Sequence, residues 1–159
     1  MANNISQFEA DLDKAYQRKV VGQATEFFKA VALDAWQKIT ANSLKVGIAY
    51  GSPVLTGRYY NSHRISINGV DTSFEPADPA RFDAEEPARG LPISIAAAAL
   101  RPVKLGDTVY ISNSVPYARK IEEGHSKFKA PEGVYEVSAD AVRAKFKNAK
   151  ITSYTKRPG

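Results

Sequence analysis

The side chains of this sequence that could do acid–base or metal chemistry are few and far apart. Only His63 and His125 could bind a metal through imidazole, and neither has a second His or an Asp at the spacing of one helical turn. Glu122 and Glu123 are adjacent carboxylates, but neighbouring residues on a helix do not face each other and are poorly placed to share a proton. The sequence therefore predicts neither a metal site nor a catalytic carboxylate pair.

Nucleophilic and phosphate chemistry also lack their usual motifs. The chain has no cysteine, which excludes disulfides, thiolate metal sites and cysteine nucleophiles and fits a protein made in a reducing cytoplasm. A Gly-x-Ser-x-Gly turn for a serine nucleophile and a Gly-x-x-x-x-Gly-Lys-Ser/Thr phosphate loop are both missing from the sequence. We therefore expect no enzyme and no cofactor.

The distribution of charge along the chain is uneven. The length of 159 residues fits one domain, and the net charge is +5. Residues 70–90 hold six acids against two arginines, whereas residues 143–159 hold six bases and no acid. This pattern is either ordinary solvated surface, or an acidic loop and a basic tail that meet complementary partners, namely copies of the chain or nucleic acid.

No segment of the sequence is predicted to enter a membrane. The longest apolar stretch, residues 93–100, is far shorter than the roughly 18 residues that a span requires. The first 20 residues lack the apolar segment of a signal peptide, so we expect no membrane partner.

The first third of the chain is predicted to be helical. Ser6 and Glu9 fit a capping box at a helix start. An apolar stripe follows at spacings of three and four residues: Ile5, Phe8, Leu12, Tyr16 and Val20. The pattern predicts two helices, 6–20 and 23–41, or one long helix kinked near Gly22. Three bulky side chains of the second part are predicted to lie in the core: Phe27, Phe28 and Trp36.

The rest of the chain alternates short helices, strands and turns. The predicted helices are a short one capped by Thr56–Gly57, one at 93–100 (or a strand there), one at 117–123 that Gly124 ends, and one at 138–148. The predicted strands are 63–68, its hairpin partner 70–74 after an Asn-Gly turn, 108–112, and 151–155, with 134–138 either a strand or the lead-in to a helix.

These elements predict a single α+β domain over residues 1–159. The N-terminal helical region and further helices would pack on a small, mainly antiparallel sheet. An acidic, proline-rich loop is predicted at about 75–90 and a basic C-terminal tail at about 149–159.

Two runs of the sequence combine turn-forming residues with aromatic and charged ones. They are SPVLTGRYYNS at 52–62 and YISNSVPYARKIEEGHSKFKAPEGV at 110–134. This composition is typical of structured loops that contact another molecule.

At residues 52–62 and again at 109–133, the chain resembles the tail-completion or neck proteins of long-tailed double-stranded DNA bacteriophages. The family motif Ser/Thr-Pro-Val-Asp-Thr-Gly-Arg stands here as residues 52–58, with Leu55 in place of Asp. The later family pattern stands here as Gly106-Asp107, Val109-Tyr110-Ile111, Asn113, Pro116-Tyr117-Ala118, Glu122-Glu123-Gly124 and Ala130-Pro131-Glu132-Gly133. The order and spacing of the set match over about residues 20–148.

The resemblance implies a structural virion protein and not an enzyme. Members of the family form rings, commonly hexameric, at the junction of the head-side connector and the tail tube. The implied partners are copies of the chain, connector or adaptor proteins, tail-terminator or tail-tube proteins, and DNA that passes through the channel without being read. The implied location is the neck of the virion, after synthesis in the cytoplasm of the bacterial host.

We predict that interaction residues lie in the two runs, the acidic loop and the basic C-terminal segment 143–159. They are Thr56, Gly57, Arg58, Tyr59, Glu75, Asp83, Glu85, Glu86, Tyr117, Glu122, His125, Lys127, Lys145, Lys147 and Lys150. The alternative is that the two runs serve only the fold, with Asn113 and Pro116 shaping a turn and Glu122 holding an arginine such as Arg58 or Arg119. The alternative function is a small basic nucleic-acid-binding module, because the tail interleaves bases with Phe146 and Tyr154.

Overall fold

A computed structural model describes residues 2–41, 51–53, 57–76, 91–125, 130–147 and 149–152 of the chain, with side chains from residue 5 onward. The elements in chain order are α1 (Ala2–Tyr16), a π-helical turn (Gln17–Val21), α2 (Gly22–Ile39), α3 (Arg58–Asn61), β1 (His63–Ile67), α4 (Ile93–Ala99), β2 (Val109–Asn113), α5 (Ala118–Glu122) and α6 (Tyr135–Lys145). The fold is α+β, as the sequence predicts.

The first three elements form one continuous helical run. Tyr16, Val21 and Gly22 all have right-handed helical backbone angles, so the helix passes through the π-helical turn without a break. The prediction of a single long helix is confirmed. The predicted capping box is wrong, because the helix begins at Ala2 and Ser6 lies inside it. No glycine or proline precedes Ser6 to end the helix there.

The described part of the sheet has two antiparallel strands. His63 of β1 lies opposite Asn113 of β2, and Ile67 lies opposite Val109. The predicted hairpin partner at 70–74 is wrong, because residues 70–76 form no strand. The backbone N–H of Asn68 donates to the Thr108 carbonyl at 2.8 Å, and the Asn68 side chain accepts from the Thr108 N–H at 2.9 Å. The turn after β1 is therefore joined to the start of β2 and not to the residues that follow it.

The short elements lie close to their predicted positions. The helices α4 and α5 and the strands β1 and β2 each begin and end within two residues of the prediction, and α3 begins directly after Gly57. The last helix begins at Tyr135, three residues early, so 134–138 is the lead-in and first turn of a helix and not a strand. Residues 151–152 form no strand, and the remainder of the predicted last strand lies outside the described residues. The same is true of residues 77–90 in the acidic loop.

The core lies where the end of α2 meets α3, the turn after β2, and the start of α6. Its buried side chains are Ile39, Tyr59, Val115, Ala130 and Val134. Trp36 is buried as predicted, whereas Phe28 is only partly buried. The prediction that Phe27 lies in the core is wrong. Its side chain is 47% exposed and contacts the ring of Phe146 edge-on at the surface.

Candidate assembly site

The first motif run secures the C-terminal end of α2. The last carbonyls of a helix have no partner within the helix and must find one elsewhere. The Ser52 hydroxyl donates to the Ile39 carbonyl at 2.6 Å, and the Tyr60 hydroxyl donates to the Thr40 carbonyl at 2.5 Å. Ser52 and Tyr60 are therefore structural residues that close the end of the long helix.

Ser52 also belongs to a buried chain of hydrogen bonds through His63. The imidazole Nε2 lies 2.6 Å from the Ser52 Oγ, and Nδ1 lies 2.7 Å from the Tyr135 hydroxyl. Because Ser52 already donates its proton to Ile39, Nε2–H must donate to Ser52, and Nδ1 accepts from Tyr135. The sequence analysis missed this chain, since its members are 11 and 72 residues apart.

The Ser52–His63 pair is shaped like a nucleophile and its base but is closed to substrate. Ser52 is 0% exposed and His63 is 2% exposed. The imidazole cannot act as a base towards Ser52, because it is the donor in that bond. Burial, with a smaller contribution from the positive charge of Arg64, lowers the pKa of His63 to about 3. The pair is therefore a neutral structural link between the first motif run, β1 and α6.

Arg58 joins the first motif run to the second. Its guanidinium carbon lies 5.8 Å from the centre of the Tyr117 ring and 5.5 Å from the centre of the Phe74 ring. Its Nε donates to the Glu75 carbonyl at 2.9 Å. Three predicted interaction residues, Arg58, Tyr117 and Glu75, are thus brought together. Their contacts lie within the chain, and the cation is within cation–π distance of both aromatic rings.

Asn113 supports the same junction from the end of β2. Its Nδ2 donates to the Tyr59 carbonyl at 2.8 Å, and its Oδ1 accepts from the Val115 N–H at 3.3 Å. Asn113 therefore shapes the turn before Pro116, as the alternative interpretation predicted. Tyr59, a predicted interaction residue, lies in the core, and burial raises the pKa of its hydroxyl.

Glu122 binds the beginning of α6. Its carboxylate accepts hydrogen bonds of 2.9 to 3.1 Å from the backbone N–H groups of Val134, Tyr135 and Glu136. These are the unpartnered donors of a helix N-terminus, where a negative charge is also favoured by the helix dipole. Arg119 pairs with Glu123 at 2.6 Å. Glu122 is an internal residue that binds the start of a helix.

Two glycines of the second motif run allow this close packing. Both have positive φ, +82° at Gly124 and +84° at Gly133. A Cβ atom at Gly124 would lie 2.4 Å from the Pro131 carbonyl oxygen, and one at Gly133 would lie 2.6 Å from the Glu122 carbonyl oxygen. The Glu-x-Gly and Ala-Pro-x-Gly motifs are therefore two halves of one interlocked turn.

The bases predicted to bind partners differ in what they contact. Lys145 and Lys38 both donate to the Asp34 carboxylate at 2.6 Å. Burial acts to raise the pKa of Asp34, but the hydrogen bonds from the two lysines outweigh it and the pKa is lowered. Lys145 therefore fastens α6 to α2, whereas Lys147 and Lys150 are exposed.

The remaining predicted residues are peripheral or lie outside the described ranges. Gly57 is the residue immediately before α3. His125 is exposed, and its Nδ1 lies 2.9 Å from the Lys120 carbonyl oxygen. The residues outside the described ranges are Thr56, Asp83, Glu85, Glu86 and Lys127.

A cleft of about 550 Å³ lies beside α4 and β1, with Leu91, Ile95 and Ala99 on its apolar side. Its charged residues bind each other, because Arg64 Nη2 lies 3.2 Å from Glu75 Oε1. Within the described ranges, no group of three His, Asp or Glu side chains could hold a metal ion. No described helix has both the length and the apolar character needed to cross a bilayer.

The N-terminal helix presents an exposed stripe of apolar side chains. Every residue from 5 to 20 is exposed, a segment that we call the arm. The stripe predicted from the sequence is present, and its five side chains are 52% to 66% exposed. The described part of the chain therefore does not cover this stripe, although a contiguous apolar face of this kind is typical of a surface that binds protein.

Comparison of the chain with protein-family models, with curated protein sequences and with solved structures finds no match in any of the three.

Proposed function

We propose that this chain is a structural virion protein of the phage neck or tail-completion type. In this role copies of the chain form a ring at the head–tail junction, complete the tail and continue the channel through which DNA passes. The chain acts by shape and self-association, and no covalent bond is made or broken.

The observation that carries the proposal is the convergence of the two motif runs. Short motifs such as Thr-Gly-Arg and Pro-Tyr-Ala are individually weak, since each occurs by chance in many sequences. Here Arg58 of the first run is held against Tyr117 of the second, and Asn113 of the second binds the Tyr59 carbonyl of the first. Residues that resemble a family pattern in order and spacing thus form one physical unit, which supports a shared fold.

The exposed arm supports the self-association in this proposal. Single exposed apolar residues are common on monomers, but five in line along one helix are a liability unless another chain covers them. A virion component meets this condition, because it functions only in contact with neighbours.

The charged tail has a narrower role than its composition indicates. Arg143 is paired with Asp140 and Glu136, and Lys145 is paired with Asp34. Among the described residues of the basic segment 143–159, Lys147 and Lys150 are exposed bases that can meet an acidic neighbour or a DNA backbone. Contacts that the described part of this segment makes with adjacent subunits would depend on these two lysines.

Native mass spectrometry and negative-stain microscopy test the proposal on the full chain. We expect closed rings built from the 17.4 kDa chain, either from the protein alone or after addition of a head-side connector ring from the same phage. A chain that stays monomeric in both conditions would overturn the proposal. Raising the salt to about 1 M, where the Debye length is about 3 Å, separates charge-driven ring contacts from apolar ones.

The same preparation tests the alternative of a nucleic-acid-binding module. With Lys147 and Lys150 as the contacts, the affinity for duplex DNA should fall with salt with a log–log slope of only about −2. A monomer that binds DNA tightly with a much steeper slope would favour the alternative.

A further inference from the structure

The arm has the charge pattern of a helix that pairs with itself in the opposite direction. Residues 5–13 contain Glu9, Asp11 and Asp13 and no base, and residues 14–20 contain Lys14, Arg18 and Lys19 and no acid. We propose that the arm pairs antiparallel with the arm of a second copy of this chain. In that arrangement the acidic half of each arm lies against the basic half of the other.

The stripe has a spacing that matches itself when the direction is reversed. Four of its members, Phe8, Leu12, Tyr16 and Val20, recur every four residues. When Phe8 of one arm lies opposite Val20 of the other, Leu12 lies opposite Tyr16, and each pair occurs twice by symmetry. All four side chains of each arm then meet apolar partners in one register.

The π-helical turn keeps the stripe straight over this length. In an α-helix each step of four residues advances about 40° around the axis, so a long run at this spacing drifts off one face. The turn Gln17–Val21 is π-helical, with i→i+5 hydrogen bonds and more residues per turn. The wider turn cancels the drift between Tyr16 and Val20, so that both side chains stay on the face that carries Leu12.

The exposed apolar area of the arm favours a partner helix. The four paired side chains of each arm are more than half exposed, and at roughly 150–200 Å² each they provide about 400 Å² per arm and about 800 Å² for the pair. That is the size of a small, weak interface. The arm is about 24 Å long, so a second helix of the same length can lie along all of it.

The net charge of the arm also argues against nucleic acid or a lipid surface as its binding partner. The arm has three acids and three bases, so its net charge is zero. Nucleic acid and anionic lipid surfaces attract basic helices, and this arm offers them no net attraction. Parallel pairing of two arms would set acids against acids and bases against bases.

This pairing goes beyond the proposed ring. Antiparallel pairing of identical helices is a two-fold contact, whereas neighbours in a ring meet through two different faces. A chain that has both contacts forms rings that are linked in pairs, or dimers when the ring contact is absent.

Disulfide trapping in the full chain tests the pairing, because the natural chain has no cysteine that could interfere. We expect an equimolar mixture of Phe8→Cys and Val20→Cys chains to form a disulfide-linked species at twice the chain mass on mild oxidation. Either variant alone should not cross-link through the pair, since its own cysteines would be about 18 Å apart along the helix. Lys14→Cys is the matched control, because it lies level with the centre of the pair but on the opposite face.

Three results would overturn the inference. Cross-linking of the Phe8→Cys chain with itself would show parallel arms. Absence of the mixed disulfide would show that the arms do not pair, and equal cross-linking of Lys14→Cys would show random collision. If rings form but the mixed disulfide does not, the pairing of the arms is wrong and the proposed function stands. If the mixed disulfide forms but rings do not, the pairing stands and the proposed function is wrong.

Discussion

The carboxylate of Glu122 lies 2.9 Å from the backbone nitrogen of Val134, at the first turn of the helix that the second motif run leads into. The same side chain accepts from the next two backbone N–H groups as well. One side chain on a five-residue helix thus determines where α6 begins.

Removing the charge of Glu122 should destabilise the chain. In Glu122→Gln one carboxylate oxygen becomes an NH₂ donor that faces N–H groups, so at least one donor is left without an acceptor. We expect the free energy of unfolding to fall by about 1–3 kcal/mol, measured by urea denaturation. The control is Glu123→Gln, which loses only an exposed pair with Arg119 and should change stability by less than about 1 kcal/mol. Equal effects of the two substitutions would contradict the capping role.

A methyl group at Gly133 should destabilise the fold, because the interlocked turn has no space for it. Gly133→Ala adds a Cβ that would lie 2.6 Å from a backbone oxygen, in addition to the strain of a positive φ. Gly106→Ala is the matched control, since Gly106 also has positive φ (+94°) but has open space around its Cβ position. We expect both to lower the free energy of unfolding by about 1 kcal/mol through strain, and Gly133→Ala to lower it clearly further. A difference near zero would show that the turn opens to accept the methyl group.

The buried imidazole of His63 should make the fold sensitive to acid. The folded pKa of about 3 is below the unfolded value of 6.5, so between these values the unfolded chain binds the proton and the folded chain does not. This contribution to stability is fully present above pH 6.5 and is lost as the pH falls towards 3. We expect a loss of about 2 kcal/mol between pH 6.5 and pH 5.

Denaturation curves at several pH values check this expectation. His63→Gln should be less stable at pH 7, because its two hydrogen bonds are disturbed, but its stability should change less between pH 6.5 and 5. His125→Gln, which alters an exposed imidazole, should keep the full pH dependence. Identical pH profiles for the two variants would exclude His63 as the source.

A substitution at Arg58 tests whether the first motif run stabilises the fold or binds a neighbouring chain. Arg58→Lys keeps the charge but removes the planar group that lies against Phe74 and Tyr117. We expect the free energy of unfolding to fall by about 1 kcal/mol, with Arg119→Lys as a surface control that stays within about 0.5 kcal/mol. Unchanged stability together with lost ring formation would instead make Arg58 a residue that binds a neighbouring chain.

The sequence by itself determined the elements that depend on local chemistry. The strands β1 and β2, the helices α3 to α5 and the left-handed glycine after α5 follow from alternation, helical spacing and turn residues that lie within a few positions of each other. The apolar stripe of the arm was also visible, since it is a periodicity within one helix.

The tertiary structure alone decided what these elements meet. The Asn-Gly turn after β1 predicted a local hairpin, but β1 pairs with a strand more than 40 residues later. Glu122 binds a helix end, Lys145 binds Asp34, and the stripe of the arm is left exposed. Periodicity shows which face of an element is apolar and which side chains are charged. Which elements contact each other depends on packing between segments that are distant in sequence. Such a contact forms only where its favourable free energy exceeds the conformational entropy lost when the two segments are brought together.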